Sequence, residues 1–207
     1  MPIEVEKKYR LTKAQRQDVL GRLSEIGAVC EGEEFEENTL YSGNGLEAGR
    51  SALRLRRINS GAAIPVAVQS RPARAMLTYK QRFPSASSIK QQQEDETEVA
   101  DPEAMEDILE GLGFVPALVY EKRRVTWRLV DAEIVIDELP FGLFMEIEGP
   151  EGAIREVEHQ LAIKGLKAEH ATYPSLTERH GKSHNGVIEA RFKKLTSKKR
   201  KSMRRLP

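Results

Sequence analysis

A single cysteine, Cys30, excludes any disulfide within the chain. A lone thiol and no signal-like leader fit a reducing compartment, so a cytoplasmic location is expected. Cys30 itself reads as a small packing residue. Long apolar runs are also missing. None approaches the roughly 18 residues that a membrane span needs, so no membrane partner is expected. Aromatic residues make up only 6% of the 207 residues while charged ones make up 31%. The chain is polar for a globular protein, yet its apolar residues are periodic rather than sparse, and its length suits one domain with appendages. Acid is absent from the C-terminus: residues 191–207 hold nine Lys and Arg and no Asp or Glu, leaving 24 bases against 32 acids in the other 190. An acidic body therefore carries a basic tail.

What is present is a recurring strand pattern. In Pro2 to Leu11, one face holds Ile3, Val5, Lys7, Tyr9 and Leu11, and the other Glu4, Glu6, Lys8 and Arg10. Thr12 and Gln15 then form a capping box for a helix over about 13–26, with Gly27 as its stop. A glutamate-crowded strand spans Val29 to Tyr41, most of its carboxylates expected in solvent. Ser51 to Asn59 sets Leu53 and Leu55 against Arg54 and Arg56. After a Gly, Ala and Pro-containing excursion over 60–74, Met76 to Phe83 sets Leu77 and Tyr79 against Thr78, Lys80 and Arg82. Glu94, Glu96 and Glu98 share a face of the next segment. Asp101-Pro102 opens a second helix. Three further strand stretches carry Lys122 and Arg124, Asp137, and Glu146 and Glu148. Ile154, Val157, Leu161 and Ile163 mark a third helix, and 174–182 a short fourth. Residues 183–207 read as a basic, disordered C-terminal tail.

Seven segments thus pair an apolar face with a charged one, and charges of like sign come in i, i+2 pairs on one side of a sheet. Two arrangements satisfy this: a single sheet with helices on its apolar side and water on its ionic side, or a sheet curled around an ionic interior. Closing the second one empty is unfavourable, because buried charges cost desolvation. It suits a lumen that receives matching charge of both signs. Carboxylates hold Mg²⁺ or Mn²⁺, and Arg and Lys hold phosphate oxygens.

Glu4-Val5-Glu6-Lys7-Lys8 resembles the E-x-E-x-K signature of the CYTH superfamily, the triphosphate tunnel metalloenzymes. Leu53-Arg54-Leu55-Arg56, Leu77-Thr78-Tyr79-Lys80, Glu96-Thr97-Glu98, Glu121-Lys122-Arg123-Arg124, Ile136-Asp137-Glu138-Leu139-Pro140 and Met145-Glu146-Ile147-Glu148-Gly149 follow in the family's order. The likeness covers about residues 1–182 and is greatest to class IV adenylyl cyclase-like proteins. It implies an α+β fold, a closed eight-stranded antiparallel β-barrel whose tunnel is charged and whose helices pack outside. It implies metal-site carboxylates at Glu4, Glu6, Asp137, Glu146 and Glu148, and triphosphate-binding cations at Lys8, Arg54, Arg56, Lys80, Lys122 and Arg124. Glu4, Glu6 and Lys8 are the implied catalytic residues. Glu96 and Glu98 fall where relatives have further tunnel acids, Tyr41 is a candidate partner of Lys8, and Tyr173 a candidate shield at one mouth.

The implied activity is divalent-metal-dependent (Mg²⁺ or Mn²⁺) hydrolysis of an inorganic, nucleoside or organic triphosphate. If the 3′-hydroxyl of ATP reaches the α-phosphate instead, the same groups yield cyclic AMP and pyrophosphate. The rival class is a non-catalytic polyphosphate or RNA-binding module, motivated by the tail, which is expected to make weak, salt-dependent contact with nucleic acid. A monomer or homodimer suits either reading. Two other signals fail: Gly181-Lys182-Ser183 lacks the P-loop glycine five residues earlier, where Leu176 stands, and His180 and His184 flank a helix-breaking glycine.

Overall fold

The computed structural model describes residues 3–43, 45–47, 49–60, 73–82, 90–162 and 164–193. β1 (Ile3–Leu11) leads into α1 (Lys13–Glu25), β2 (Val29–Ser42), β3 (Ser51–Ser60), β4 (Arg74–Arg82) and β5 (Lys90–Val99). Then come α2 (Pro102–Gly111), β6 (Val115–Leu129), β7 (Ala132–Leu139), β8 (Gly142–Glu148) and α3 (Glu151–Leu161). β9 (Lys167–Ala168), α4 (Tyr173–His180), β10 (Lys182–His184) and β11 (Val187–Ala190) complete the order.

The helix signals act as the sequence implies. Thr12 Oγ1 accepts from the Gln15 amide, and the Gln15 side chain accepts from the Thr12 amide. α1 stops where Gly27 adopts a left-handed φ of 77° and Ala28 donates back to the Leu23 carbonyl. Asp101 caps α2 by accepting from Ala104 N at 2.9 Å. α3 ends at Leu161, and Ile163 lies outside the described residues.

Eight strands pair in the order β6-β2-β3-β4-β5-β1-β8-β7, and β7 pairs β6 in turn. The fold is α+β with a mainly antiparallel sheet. The expected closed eight-stranded antiparallel barrel needs correction. Eleven strands occur among the described residues, β11 runs parallel to β6, and the sheet is not closed along its whole length. β7 pairs β6 only over Arg123–Leu129, and β11 takes the same edge of β6 at Leu118–Tyr120. Among the described residues β5 pairs β1 over Ile3–Glu6, and β9 joins β1 at Tyr9–Arg10. The β6–β7 seam therefore parts at one end, and the short strands β11 and β9 pair edges of β6 and β1. A second correction concerns residues 183–190, expected in the disordered tail. They form most of the β10–β11 hairpin, and Arg191 and Phe192 are held beyond it: Arg191 pairs with Glu37, Glu121 and Glu189, and the Phe192 amide donates to Glu121. Residues 194–207 lie outside the described residues.

Alternation sorts the strand residues onto two sides. The apolar side faces outward to helices. Ile134, Ile136, Met145 and Ile147 are fully buried with Val19 and Leu23 of α1 and Ile154 and Val157 of α3. Each such side chain contributes about 1.5–3 kcal/mol by leaving water. Tyr9 and Lys7 from β1 both engage Glu158, fixing α3 to the sheet. Leu53, Leu55 and Val99 pack with Leu109 of α2 on another flank. α4 sits at one end, where Tyr173 and Leu176 cluster with Leu118, Tyr120 and Phe144. The other side of the sheet is left for the charged residues.

Candidate functional site

The charged faces line one cavity of about 550 Å³. β1 supplies Glu6 and Lys8, β3 Arg54 and Arg56, and β4 Lys80. β5 supplies Glu94 and Glu96, β6 Tyr120, Lys122 and Arg124, β7 Glu133, and β8 Glu146 and Glu148. Thr172, Tyr173 and Pro174 at the start of α4 line it as well. Strand register explains the convergence. Lys8 is opposite Glu146, Glu6 opposite Glu148, Arg54 opposite Thr78, and Thr78 opposite Glu96. Directly opposed residues share a face, so each pairing carries the ionic side to the next strand.

The ion pairs are dense. Lys8 Nζ lies 3.0 Å from Glu146 and 4.0 Å from the Tyr173 ring centroid. Burial opposes its charge, but Glu146 and Glu6 outweigh that and raise its pKa, so Lys8 stays an ammonium. Arg124 reaches both oxygens of Asp137, at 2.8 and 2.6 Å, and Glu146 at 2.8 Å. Burial pulls against the ionised Glu146, yet Lys8 and Arg124 hold its carboxyl well below the usual range. Lys122, 2% exposed, sits 3.3 Å from Glu36 and 3.7 Å from Asp137. Its burial, followed by the neighbouring Arg124 charge, pushes it down to about 8. Arg56 pairs with Glu96 at 2.6 Å, and Thr78 donates to the same carboxylate at 2.6 Å. Lys80 pairs with Glu94 at 2.5 Å.

All six expected cations, Lys8, Arg54, Arg56, Lys80, Lys122 and Arg124, line the cavity, as do the expected acids Glu6, Glu96, Glu146 and Glu148. Glu4 lies on β1 opposite Gln92, and its side chain is outside the described ones. Asp137 differs from expectation: it is 0% exposed, behind the cavity wall, with its oxygens taken by Arg124 and by the Tyr173 hydroxyl at 2.8 Å. Glu98 is exposed and is not in the lining. Tyr41 points to the opposite side of the sheet, among Leu53, Leu55 and Leu109, away from Lys8; burial pushes its phenol up to about 12. Arg10 is exposed and outside the lining, beside Glu169 and the Phe144 ring.

Glu133 and Glu36 were not anticipated, and Glu94 was placed on the charged face without a site role. Glu94 shares the face of Glu96, a signal visible in the alternation. Glu133 follows from its register with Glu148. Glu36, expected in solvent with its neighbours, is 1% exposed among the cavity cations. Glutamates on both faces of β2 leave no periodic signal to single it out.

The carboxylates suit a divalent cation in type. Glu6, Glu148 and Glu133 stand in direct register across β1, β8 and β7 and set carboxylate oxygens side by side, with Arg128 paired to Glu133 at 2.8 Å. Among the described residues no three acidic, His or Cys groups converge into a complete cage. Mg²⁺ commonly takes one or two carboxylates and completes its shell with water and substrate phosphate, so the donors present fit.

Solved structures with this fold include the PH1012 protein of Pyrococcus horikoshii, 25% identical with a TM-score of 0.68 over 84% of this chain and 98% of that one. A Vibrio parahaemolyticus protein named for adenylate cyclase is 22% identical, with a TM-score of 0.61 over 83% and 95% of the two chains. The Hippeastrum protein HpAC1, named for adenylyl cyclase and credited with a dominant triphosphatase activity, is 21% identical, with a TM-score of 0.64 over 91% and 100%. No curated protein matches the chain. The model of the CYTH domain matches residues 2–176, across the strands that line the cavity and up to the first turn of α4, and the chain belongs to the CYTH family.

Proposed function

We propose that the chain is a divalent-metal-dependent enzyme that hydrolyses a triphosphate bound in the charged cavity. The observation that carries this is the convergence of six cations from β1, β3, β4 and β6 on one cavity whose carboxylates lie mainly on β1, β5, β7 and β8. A triphosphate bears about four negative charges, and paired Arg and Lys side chains match its oxygens. Glu6, Glu146 and Glu148, with Glu4 on the same strand face, would hold Mg²⁺ or Mn²⁺, which supplies charge neutralisation for the phosphates when bound.

The chain's own groups account for the rest. Arg54, Arg56 and Lys80 grip one part of the polyphosphate, and Lys122 and Arg124 another. Lys8, kept charged by Glu146, stabilises the charge that develops on the leaving phosphate. A water oxygen bonds to the terminal phosphorus, the bridging P–O bond breaks, and a cavity carboxylate takes the water's proton. Asp137 acts as a holder of Arg124 and Tyr173 rather than as a metal ligand. Hydrolysis is favoured over cyclisation because the two lining aromatics, Tyr120 and Tyr173, are themselves buried and packed together, with ring centroids 6.2 Å apart. Neither offers an open face for a nucleobase. Incubation with Mg²⁺ and tripolyphosphate or ATP, with products resolved, tests the assignment. Orthophosphate release is the expected result. Cyclic AMP as the main product from ATP would replace hydrolysis with cyclisation, and no turnover of any triphosphate would remove the enzymatic reading.

A further inference from the structure

The two banks of cations lie on β3 and β6, and β2 runs between them. Arg54, Arg56, Lys122 and Arg124 are four like charges on β3 and β6, the two strands that flank β2. Unscreened by water, they would repel one another and turn their heads apart. One side chain of β2 lies among all four. Glu36 is opposite Lys122 in register, with Oε2 3.3 Å from Lys122 Nζ. Its Oε1 stands 3.8 Å from both Arg56 Nη1 and Arg124 Nε. Asn38, 0% exposed two residues along the same face, donates to Oε2 at 3.2 Å and fixes the carboxylate's orientation. Oε1 has no hydrogen-bond partner although it is buried, so it is held by charge alone between an arginine of each bank.

We propose that Glu36 is a positioning residue that joins the β3 and β6 cations into one phosphate cradle, a role that rests on the triphosphate reading of the cavity. It does not line the cavity. Its charge acts through the arginines and the lysine. Burial alone would favour the neutral acid, but Lys122, Arg56, Arg124 and Arg54 outweigh it and keep the carboxylate ionised. On the other flank of β6, Asp137 of β7 plays the complementary part for Lys122 and Arg124. Among the described carboxylates, Glu36 is the one that pairs with cations of both β3 and β6.

The role predicts an unusual split between kcat and KM. Glu36→Gln removes a negative charge from behind the cradle, so raw attraction for a polyanion rises while alignment is lost. With Mg²⁺ and tripolyphosphate, kcat is expected to fall about tenfold or more while KM stays level or falls. Glu36→Asp keeps the charge on a shorter arm and is expected to recover part of kcat. The aspartate variant also serves if the glutamine variant does not fold, since its kcat loss without a KM rise is then the reading. A merely structural role would instead raise KM and leave kcat near wild type, and that outcome overturns the proposal, as does wild-type behaviour in both variants. Wild-type protein that neither binds nor turns over tripolyphosphate overturns the reading of the cavity and this role with it.

Discussion

Lys122 is the residue whose environment sets the clearest pH signature. Its ammonium is buried beside Arg124, and its pKa falls from 10.5 to about 8. Between those values the folded chain has released the proton and the unfolded chain retains it. Lys122 therefore opposes folding below pH about 8, and that opposition fades as pH rises towards 10.5. An anionic ligand favours the charged form. Affinity for tripolyphosphate, followed by calorimetry, is thus expected to be flat below pH about 8 and to decline above it. Lys122→Arg, which cannot lose its charge, removes the decline. Asp137 gives a stability prediction. Asp137→Asn leaves Arg124 with one fewer counter-charge in a buried setting and is expected to cost about 3 kcal/mol in denaturant unfolding. The cavity residues were legible in the sequence where a strand carried i, i+2 charges of one sign, as at Arg54 and Arg56 or Glu146 and Glu148. Glu36 was not, because Glu33, Glu34, Glu36 and Glu37 populate both faces of β2, and only pairing with β3 and β6 decides which one turns inward. Asp137 was legible on the charged face, but its contacts with Arg124 and with Tyr173 from α4 are tertiary and left no sequence signal.

At the scale of elements, α4 stands apart. α1, α2 and α3 cover the outer apolar side of the sheet, whereas α4 lines the cavity with Tyr173 and packs Leu176 into the cluster of Leu118 and Phe144. Thr172 caps it by accepting from Ser175 N at 3.3 Å, and Gly181 N donates back to the Thr177 carbonyl at 2.7 Å. Leu176, 2% exposed, anchors it against Phe144 and Leu118. Leu176→Ala is expected to cost about 2–5 kcal/mol, read as a lowered melting temperature. The helices were legible because capping residues and apolar spacing coincide, as at Thr12, Asp101 and Ile154. The strands β9, β10 and β11 were not. They are two to four residues long, and Lys182–His184 carries no apolar alternation. Such strands exist because β1 and β6 leave edges that need partners, which is a tertiary circumstance.

For the whole molecule, charge distribution separates two units of behaviour. Six cations and six carboxylates line the cavity of an otherwise acidic body, and the C-terminal residues after Lys193 add seven cations and no acid. Arg191 and Phe192 bind the body to the start of that segment through Glu37, Glu121 and Phe35. Truncation after Lys193 leaves this anchor in place. Its melting temperature and tripolyphosphate turnover are expected to match the full chain, while retention on immobilised RNA at low salt is lost. No helix among the described residues is long and apolar enough to cross a membrane. The central claim concerns the cavity, where six cations and the facing carboxylates are set to receive a metal-bound triphosphate. It is tested most directly by steady-state orthophosphate release from tripolyphosphate with Mg²⁺, in wild type and in Arg56→Ala. Release by the wild type that stops on chelation of the metal and falls roughly 100-fold in Arg56→Ala is the predicted result. Equal rates in the two proteins, or no release by either, would contradict it.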